Sequence, residues 1–293
     1  MPLVNAKDLL GHANRHGYAV CAFDLASLDF LAAGVQAAEN CRAPVILSVA
    51  EPHLEYLAVE HILPAVEAAA QGAAIPVAIQ FNRAASVASA TRAIGLGCNS
   101  IAVNGTGDTL EEHIVHTRTL VDMAHARGVP VEGVINGIVP LADKQPAAFT
   151  VIREYVENTG IDFLSIATGP AMRQTRIDFT RLTQIRTTLA LPLCVDTVKE
   201  FTDAEYRLLI ESGVAKIHHY AGLSSTAGER MRRNVRATPR NGYLRLMKGV
   251  QQALSAEVER CLRLAGSVGR APQVLAYCRP SKLVEHCISH PNI

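Results

Sequence analysis

Residues 44–50 read PVILSVA and residues 76–82 read PVAIQFN, and the segment between these two short apolar runs has helical spacing. Runs of similar length recur along the chain, at residues 19–24, 44–50, 76–82, 100–105, 130–136, 162–169, 192–197 and 215–220. They are nearly continuous in Val, Ile and Ala, which is typical of parallel strands buried on both faces. A closed (β/α)8 barrel requires eight such strands, so the sequence predicts an α/β fold of the TIM-barrel class.

The segments between these runs have the apolar spacing of amphipathic helices. The predicted helices cover residues 28–40, 54–71, 86–95, 110–127, 147–159, 178–188 and 203–212, with a long further helix over 244–265. Glycines 97, 128, 160 and 213 stand where a left-handed residue would end a helix before the next strand. We expect one domain over residues 1–293, with the barrel at about 1–225 and a C-terminal helical extension at about 226–293.

Composition limits the partners of the protein. Its 293 residues carry 28 Lys and Arg against 27 Asp and Glu, and only 5% are aromatic. This balance excludes a strongly basic nucleic-acid surface and a base-stacking platform. The N-terminus lacks the pattern of a signal peptide, and no apolar stretch is long enough to cross a membrane. The odd number of cysteines, seven, indicates reduced thiols. We therefore expect a cytoplasmic protein that binds neither nucleic acid nor membranes.

Functional groups of such barrels lie at the carboxyl ends of the strands. The polar or charged residues and the methionine at these positions are Asp24, Glu51, Gln80, Asn82, Arg83, Asn104, Glu132, Asn136, Met172, Arg173, Asp196, Lys199, His218, His219 and Tyr220. Polar strand ends also occur in barrels without a site there, so each position alone is weak support for function.

Several blocks of the sequence carry a family resemblance. The blocks GYAVCAFD at 17–24, AHARGVPVEG at 124–133, TGIDFLSIATG at 159–169 and SGVAKI at 212–217 are similar, with the spacing between them, to the class II fructose/tagatose-bisphosphate aldolases. The similarity extends from residue 1 to about residue 272. It implies a TIM barrel, a zinc-dependent aldolase ancestry, and C-terminal helices that support homodimers or homotetramers.

The zinc-binding positions depart from this family's pattern. Where the family has His-x-Asp-His-Gly after the third strand, this chain has Gln-Phe-Asn-Arg-Ala, so Asn82 replaces the catalytic Asp and Arg83 replaces a zinc ligand. Met172 and Asp196 replace the other two histidines. Arginine has no lone pair to offer and methionine is a weak, soft donor. We therefore expect no zinc and no other cofactor.

The phosphate-binding positions of the family are also changed. They correspond here to Arg173, Thr197, Lys199, Tyr220 and Ala221, so side chains replace glycine backbone donors. Arginine and lysine are good partners for phosphate or carboxylate, which predicts a small anionic metabolite as ligand. The alternative is that these cations pair with Asp24, Asp196 or Glu200 and fill an emptied metal site.

Three strands contribute candidate acid and base groups. Strand alternation directs His218 into the barrel mouth and His219 toward the helices. Asp196 on the neighbouring strand would make a His–carboxylate pair with His218. Glu132 is the one acidic group of the family's centre that remains. Lys199, on a loop, is a weak candidate for a Schiff-base lysine.

The candidate catalytic residues are thus His218, Asp196, Glu132 and Asn82, and the candidate substrate- or anion-binding residues are Asp24, Arg83, Arg173, Lys199, Thr197 and Tyr220. One hypothesis is a metal-independent carbon–carbon lyase or isomerase acting on a small, sugar-phosphate-like anion. The other is an inactive pseudo-aldolase that serves as a binding, regulatory or assembly subunit. The Arg-rich segment 230–240 is interpreted as an oligomer interface or a solvated surface.

Overall fold

The strands form a closed parallel barrel in sequence order. The computed structural model describes residues 3–103, 109–135, 146–167, 179–196, 201–237 and 242–281. Each strand pairs with the next, and the last pairs with the first. The strands are β1 Val20–Asp24, β2 Val45–Ala50, β3 Val77–Ala84, β4 Ser100–Val103, β5 Val131–Val134, β6 Phe163–Ala167, β7 Leu193–Asp196 and β8 Val214–His219. The predicted (β/α)8 barrel is confirmed.

Helices alternate with the strands. They are α1 Ala6–His16, α2 Leu28–Asn40, α3 Val59–Gly72, α4 Val87–Gly95, α5 Leu110–His125, α6 Pro146–Thr159, α7 Phe179–Leu189, α8 Asp203–Glu211, α9 Ala221–Ala237, α10 Tyr243–Met247, α11 Val250–Leu264 and α12 Ala271–Tyr277. A 3-10 turn, Glu51–Glu55, precedes α3. The predicted helix-ending glycines 97, 128, 160 and 213 all have positive φ, which a residue without Cβ adopts at little cost.

The structure differs from the sequence prediction near the C-terminus. The helix predicted over 244–265 is two helices, α10 and α11, because Gly249 between them adopts a left-handed φ of 76°. The start of the Arg-rich segment lies on α9, whose helical character the sequence analysis did not predict. Arg232, Arg233 and Arg236 are exposed there.

Helix α11 packs against α2 and β1. Its buried face includes Leu254, Val258 and Leu262, which join the core between the barrel and its helices. The C-terminal part of the chain therefore completes the layer that surrounds the strands.

The barrel interior changes from apolar to polar along its axis. At the amino ends of the strands, Val20, Ile46 and Phe163 pack against the apolar faces of α1 and α12. Nearer the carboxyl ends, the strands carry buried polar side chains, among them Ser48 and Gln80. The apolar half closes one end of the barrel, so the polar half defines where a site can form.

Among the described residues, no helix is both long enough and apolar enough to cross a membrane. The six cysteines in this part of the chain are buried and free. Burial raises the pKa of thiols such as Cys98 and Cys194 above their ordinary value. We therefore infer that these thiols pack in the core and are not reactive groups.

Candidate functional site

A buried histidine–carboxylate pair lies at the carboxyl ends of β1 and β8. His218 Nε2 is 2.8 Å from Asp24 Oδ2, and both side chains are buried. Ser48 Oγ donates to Asp24 Oδ1 at 2.6 Å, and the Asn82 amide nitrogen lies 3.3 Å from His218 Nε2. Strands β1, β2, β3 and β8 thus bring together four polar groups in the barrel mouth. Such a pair holds an imidazole in one orientation and can exchange a proton with a ligand.

The pair is held in its charged form. Burial alone would lower the pKa of His218, but the charge and hydrogen bond of Asp24 raise it above its ordinary value. Burial alone would raise the pKa of Asp24, but His218 and the hydroxyl of Ser48 lower it. The geometry therefore favours an imidazolium beside a carboxylate, since each charge compensates for the burial of the other.

These opposite shifts predict a pH window for stability. Protonated His218 stabilises the fold below its unfolded pKa of about 6.5, and this contribution is lost as the pH rises through the folded pKa. The contribution of Asp24 is present above its unfolded pKa of about 3.9 and is lost as the pH falls through the folded one. We expect Asp24→Asn to lower the free energy of urea unfolding more at about pH 5 than at about pH 9. A loss of equal size at both pH values would contradict the charged pair.

The carboxylate that holds His218 Nε2 is Asp24, not the predicted Asp196. Asp196 does lie beside His218 in the register of β7 and β8. However, β1 flanks β8 on the other side, with Ala22 opposite His218, so Asp24 is the next inward residue. The sequence contains this information, because closure of the eight strands makes β1 and β8 neighbours.

Asp196 instead forms an ion pair with Arg83. Arg83 lies within β3, which extends two residues beyond the predicted end at Asn82. Its backbone has a positive φ of 65°, where the β3–β4 register shifts between Phe81 and Ala84. A side-chain-bearing residue adopts this conformation at a cost, and such residues often occur at functional sites.

A second ion pair lies deeper in the barrel, and the sequence analysis missed its lysine. Lys216 Nζ is 2.5 Å from Glu132 Oε2 and 2.6 Å from Gln80 Oε1, and all three side chains are buried. Gln80 Nε2 also donates to Glu132 Oε2 at 2.9 Å. Burial would raise the pKa of Glu132, but the ammonium of Lys216 lowers it. Glu132 is therefore paired with Lys216, deeper in the barrel than the His218–Asp24 pair.

Lys216 is a second lysine to consider for covalent chemistry. Lys199 was the only lysine considered for covalent chemistry, yet Lys216 stands mid-strand inside the barrel. Residues 216–219 read KIHH, and strand alternation places Lys216 on the same face as His218. This alternation predicts that the side chain of Lys216 points into the barrel. Burial would lower the pKa of Lys216, but Glu132 raises it. The amine is therefore held as an ammonium, which is not nucleophilic.

Some of the remaining predicted residues are described by the structure, and the others are not. His219 faces the helices as predicted, stacked on Phe23 at 5.3 Å and on Tyr206 of α8. The Tyr220 ring contacts His53 at 4.5 Å. Glu51 Oε2 accepts a hydrogen bond from the backbone nitrogen of Ala85 at 2.6 Å. The other candidates, Asn104, Asn136, Met172, Arg173, Thr197 and Lys199, lie outside the described residues.

Metal ligands do not cluster in the part of the chain that the structure describes. There, no group of three or more His, Cys, Asp or Glu side chains is placed to hold a metal ion. His218 and Asp24 bond to each other, and Asp196 bonds to Arg83. In the described residues, the mouth therefore presents paired charges.

Comparison with known proteins agrees with this architecture. The family model "Fructose-bisphosphate aldolase class-II" matches residues 4–270. The chain belongs to the class II fructose-bisphosphate aldolase family. Within this family, the "Probable fructose-bisphosphate aldolase" of Bacillus subtilis (strain 168) is 30% identical to the chain, covering 82% of it and 88% of the relative. The "Fructose-bisphosphate aldolase" of Thermus caldophilus is 27% identical, covering 92% of the chain and all of the relative.

A solved structure of an aldolase shares the fold. The crystal structure of the YdjI aldolase from Escherichia coli K12 superposes with a TM-score of 0.80 at 25% identity, covering 92% of this chain and 99% of that one. The class II aldolase fold thus extends over nearly the whole chain.

Proposed function

We propose that this class II aldolase family member is a metal-independent carbon–carbon lyase or isomerase that acts on a small anionic, sugar-phosphate-like substrate. The observation that carries the proposal is the buried His218–Asp24 pair at the carboxyl ends of the strands. Buried titratable pairs in barrel mouths have the geometry and the shifted pKa values of acid–base groups.

The donor set of the mouth does not fit the zinc ion of the family. The resemblance places the three zinc ligands at Arg83, Met172 and Asp196. The guanidinium of Arg83 cannot ligate a metal, and it already bonds to the carboxylate of Asp196. A zinc site needs three protein donors or more around one point. We therefore derive no reaction step through a metal.

The reaction would use protons and fixed charges. In aldol cleavage, the unprotonated form of His218 would accept the proton of the β-hydroxyl, the carbon–carbon bond would break, and its electron pair would form an enolate. The imidazolium formed in this way, held by Asp24, would stabilise the enolate oxygen and return the proton to the enolate carbon. The amide nitrogen of Asn82 lies 3.3 Å from His218 Nε2, and this amide would orient the reacting oxygen. An isomerase would instead use His218 to take a proton from the carbon next to the carbonyl group and return it to the neighbouring carbon, without cleavage of a carbon–carbon bond.

An anionic group of the substrate would bind to cations around the mouth. We propose Arg83, Arg173 and Lys199 for this role, with Thr197 and Tyr220 as additional hydrogen-bond donors. Phosphate and carboxylate are the groups that guanidinium and ammonium bind best. We also propose, from the family resemblance, a cytoplasmic homodimer or homotetramer.

The pseudo-aldolase alternative rests on the Arg83–Asp196 ion pair. These two residues stand at family zinc positions and neutralise each other. A barrel that kept its fold while its charges paired internally could serve as a binding, regulatory or assembly subunit. This alternative predicts a protein without turnover on any phosphorylated sugar.

A substrate screen distinguishes the two functions. Chelator-treated protein would be incubated with a panel of phosphorylated ketoses, aldoses and sugar acids, and products would be detected by NMR. The proposed lyase or isomerase converts at least one of them, whereas the pseudo-aldolase converts none.

A further inference from the structure

The Arg83–Asp196 ion pair crosses the mouth of the barrel. In the order of eight strands, β3 and β7 are four apart in either direction, so the two residues reach toward each other from opposite sides. Their side chains are 29% and 13% exposed, so the pair is partly accessible. It is therefore more exposed than the buried His218–Asp24 pair.

The backbone of Arg83 is fixed in a way that directs its side chain. Its φ of 65° lies in the left-handed region, which L-residues disfavour. The register shift of β3 at Phe81 and Ala84 accommodates it, and Glu51 holds the next turn through the backbone nitrogen of Ala85 at 2.6 Å. A conformation held by its surroundings at such a cost often serves a binding or switching role.

We propose that Arg83 and Asp196 form a latch that an anionic group of the ligand opens. The phosphate or carboxylate takes the guanidinium of Arg83, and Asp196 is released. Asp196 then interacts more strongly with His218, which is opposite to it in the β7–β8 register. This inference rests on the proposed function for the anionic nature of the ligand, but its test needs no turnover.

The latch has a clear consequence for affinity. In the resting protein, the carboxylate of Asp196 competes with any external anion for the same guanidinium. Removal of the competing carboxylate must strengthen anion binding, whereas removal of Arg83 must weaken it. A merely structural ion pair predicts the opposite for Asp196, since its loss would disorder the mouth.

The experiment is titration of the full chain with inorganic phosphate by calorimetry. We expect Asp196→Asn to bind phosphate about fivefold more tightly than the wild type. This factor corresponds to the free energy of a partly exposed ion pair, which phosphate no longer has to break. Arg83→Gln should lose most of the binding, and the double variant should resemble Arg83→Gln. Asp203→Asn, at the exposed start of α8, is the control because it removes the same charge elsewhere on the chain.

Several outcomes would overturn the latch. Equal or weaker binding by Asp196→Asn would do so, as would tighter binding that persists in the double variant or is equalled by Asp203→Asn. Absence of phosphate binding in every variant would also overturn it. Failure of the proposed function would show up separately, as an absence of turnover in the substrate screen with phosphate binding intact.

Discussion

Replacement of Lys216 by Met is expected to lower the free energy of unfolding by about 3–5 kcal/mol. The change removes the ammonium that lies 2.5 Å from Glu132 and leaves a buried carboxylate without a cation beside it, although the amide of Gln80 still donates to it. An uncompensated charge in a barrel interior is far more costly than a lost surface contact. Urea unfolding followed by circular dichroism measures the effect.

Two further variants make this result specific. Arg263→Met removes a cation from an exposed pair with Glu259 on α11 and should cost at most about 1 kcal/mol. The double variant Lys216→Met/Glu132→Gln removes both buried charges, and we expect it to regain most of the stability lost. If Lys216→Met costs no more than Arg263→Met, the deep ion pair is not a stabilising feature of the barrel.

Replacement of His218 by Asn is expected to lower turnover by about 10²- to 10⁴-fold on a substrate found in the screen. The imidazole is the group proposed to carry the proton, and Asn cannot titrate in its place. Asp24→Asn should leave activity but shift its pH profile to lower pH, because burial lowers the pKa of His218 once the carboxylate is gone. Steady-state kinetics over a pH range measures both effects.

The neighbouring histidine supplies the control for this prediction. His219 packs outside the strands against Phe23 and Tyr206, so His219→Asn should reduce stability and retain most of the turnover. Equal losses in the two variants would mean that the activity depends on the packing of β8 and not on the titrating group in the mouth.

The strands could be predicted from the sequence because burial on both faces leaves a nearly continuous apolar pattern. The alternation at the end of β8 also gave the opposite directions of His218 and His219. Contacts that depend on geometry across the barrel could not be predicted from the pattern of single strands. Asp24 reaches His218 only because β1 closes onto β8, and Lys216 reaches Glu132 of β5 across the interior.

Local conformation was the other source of error. The positive φ of Arg83 and its turn toward Asp196 leave no pattern that periodicity can reveal, since glycine is absent there. The break between α10 and α11, in contrast, is marked by Gly249, whose lack of a Cβ permits the left-handed residue. A glycine within an apolar helical pattern was therefore a usable signal.

We propose that the mouth holds paired side-chain charges at the positions where the family resemblance places zinc ligands. The most direct test is the metal content of the full-length protein after dialysis against zinc chloride and then against zinc-free buffer, paired with turnover in the presence and absence of chelator. We predict substoichiometric zinc and turnover unchanged by the chelator. One zinc ion bound per chain, with turnover abolished by the chelator and restored by zinc, would contradict it.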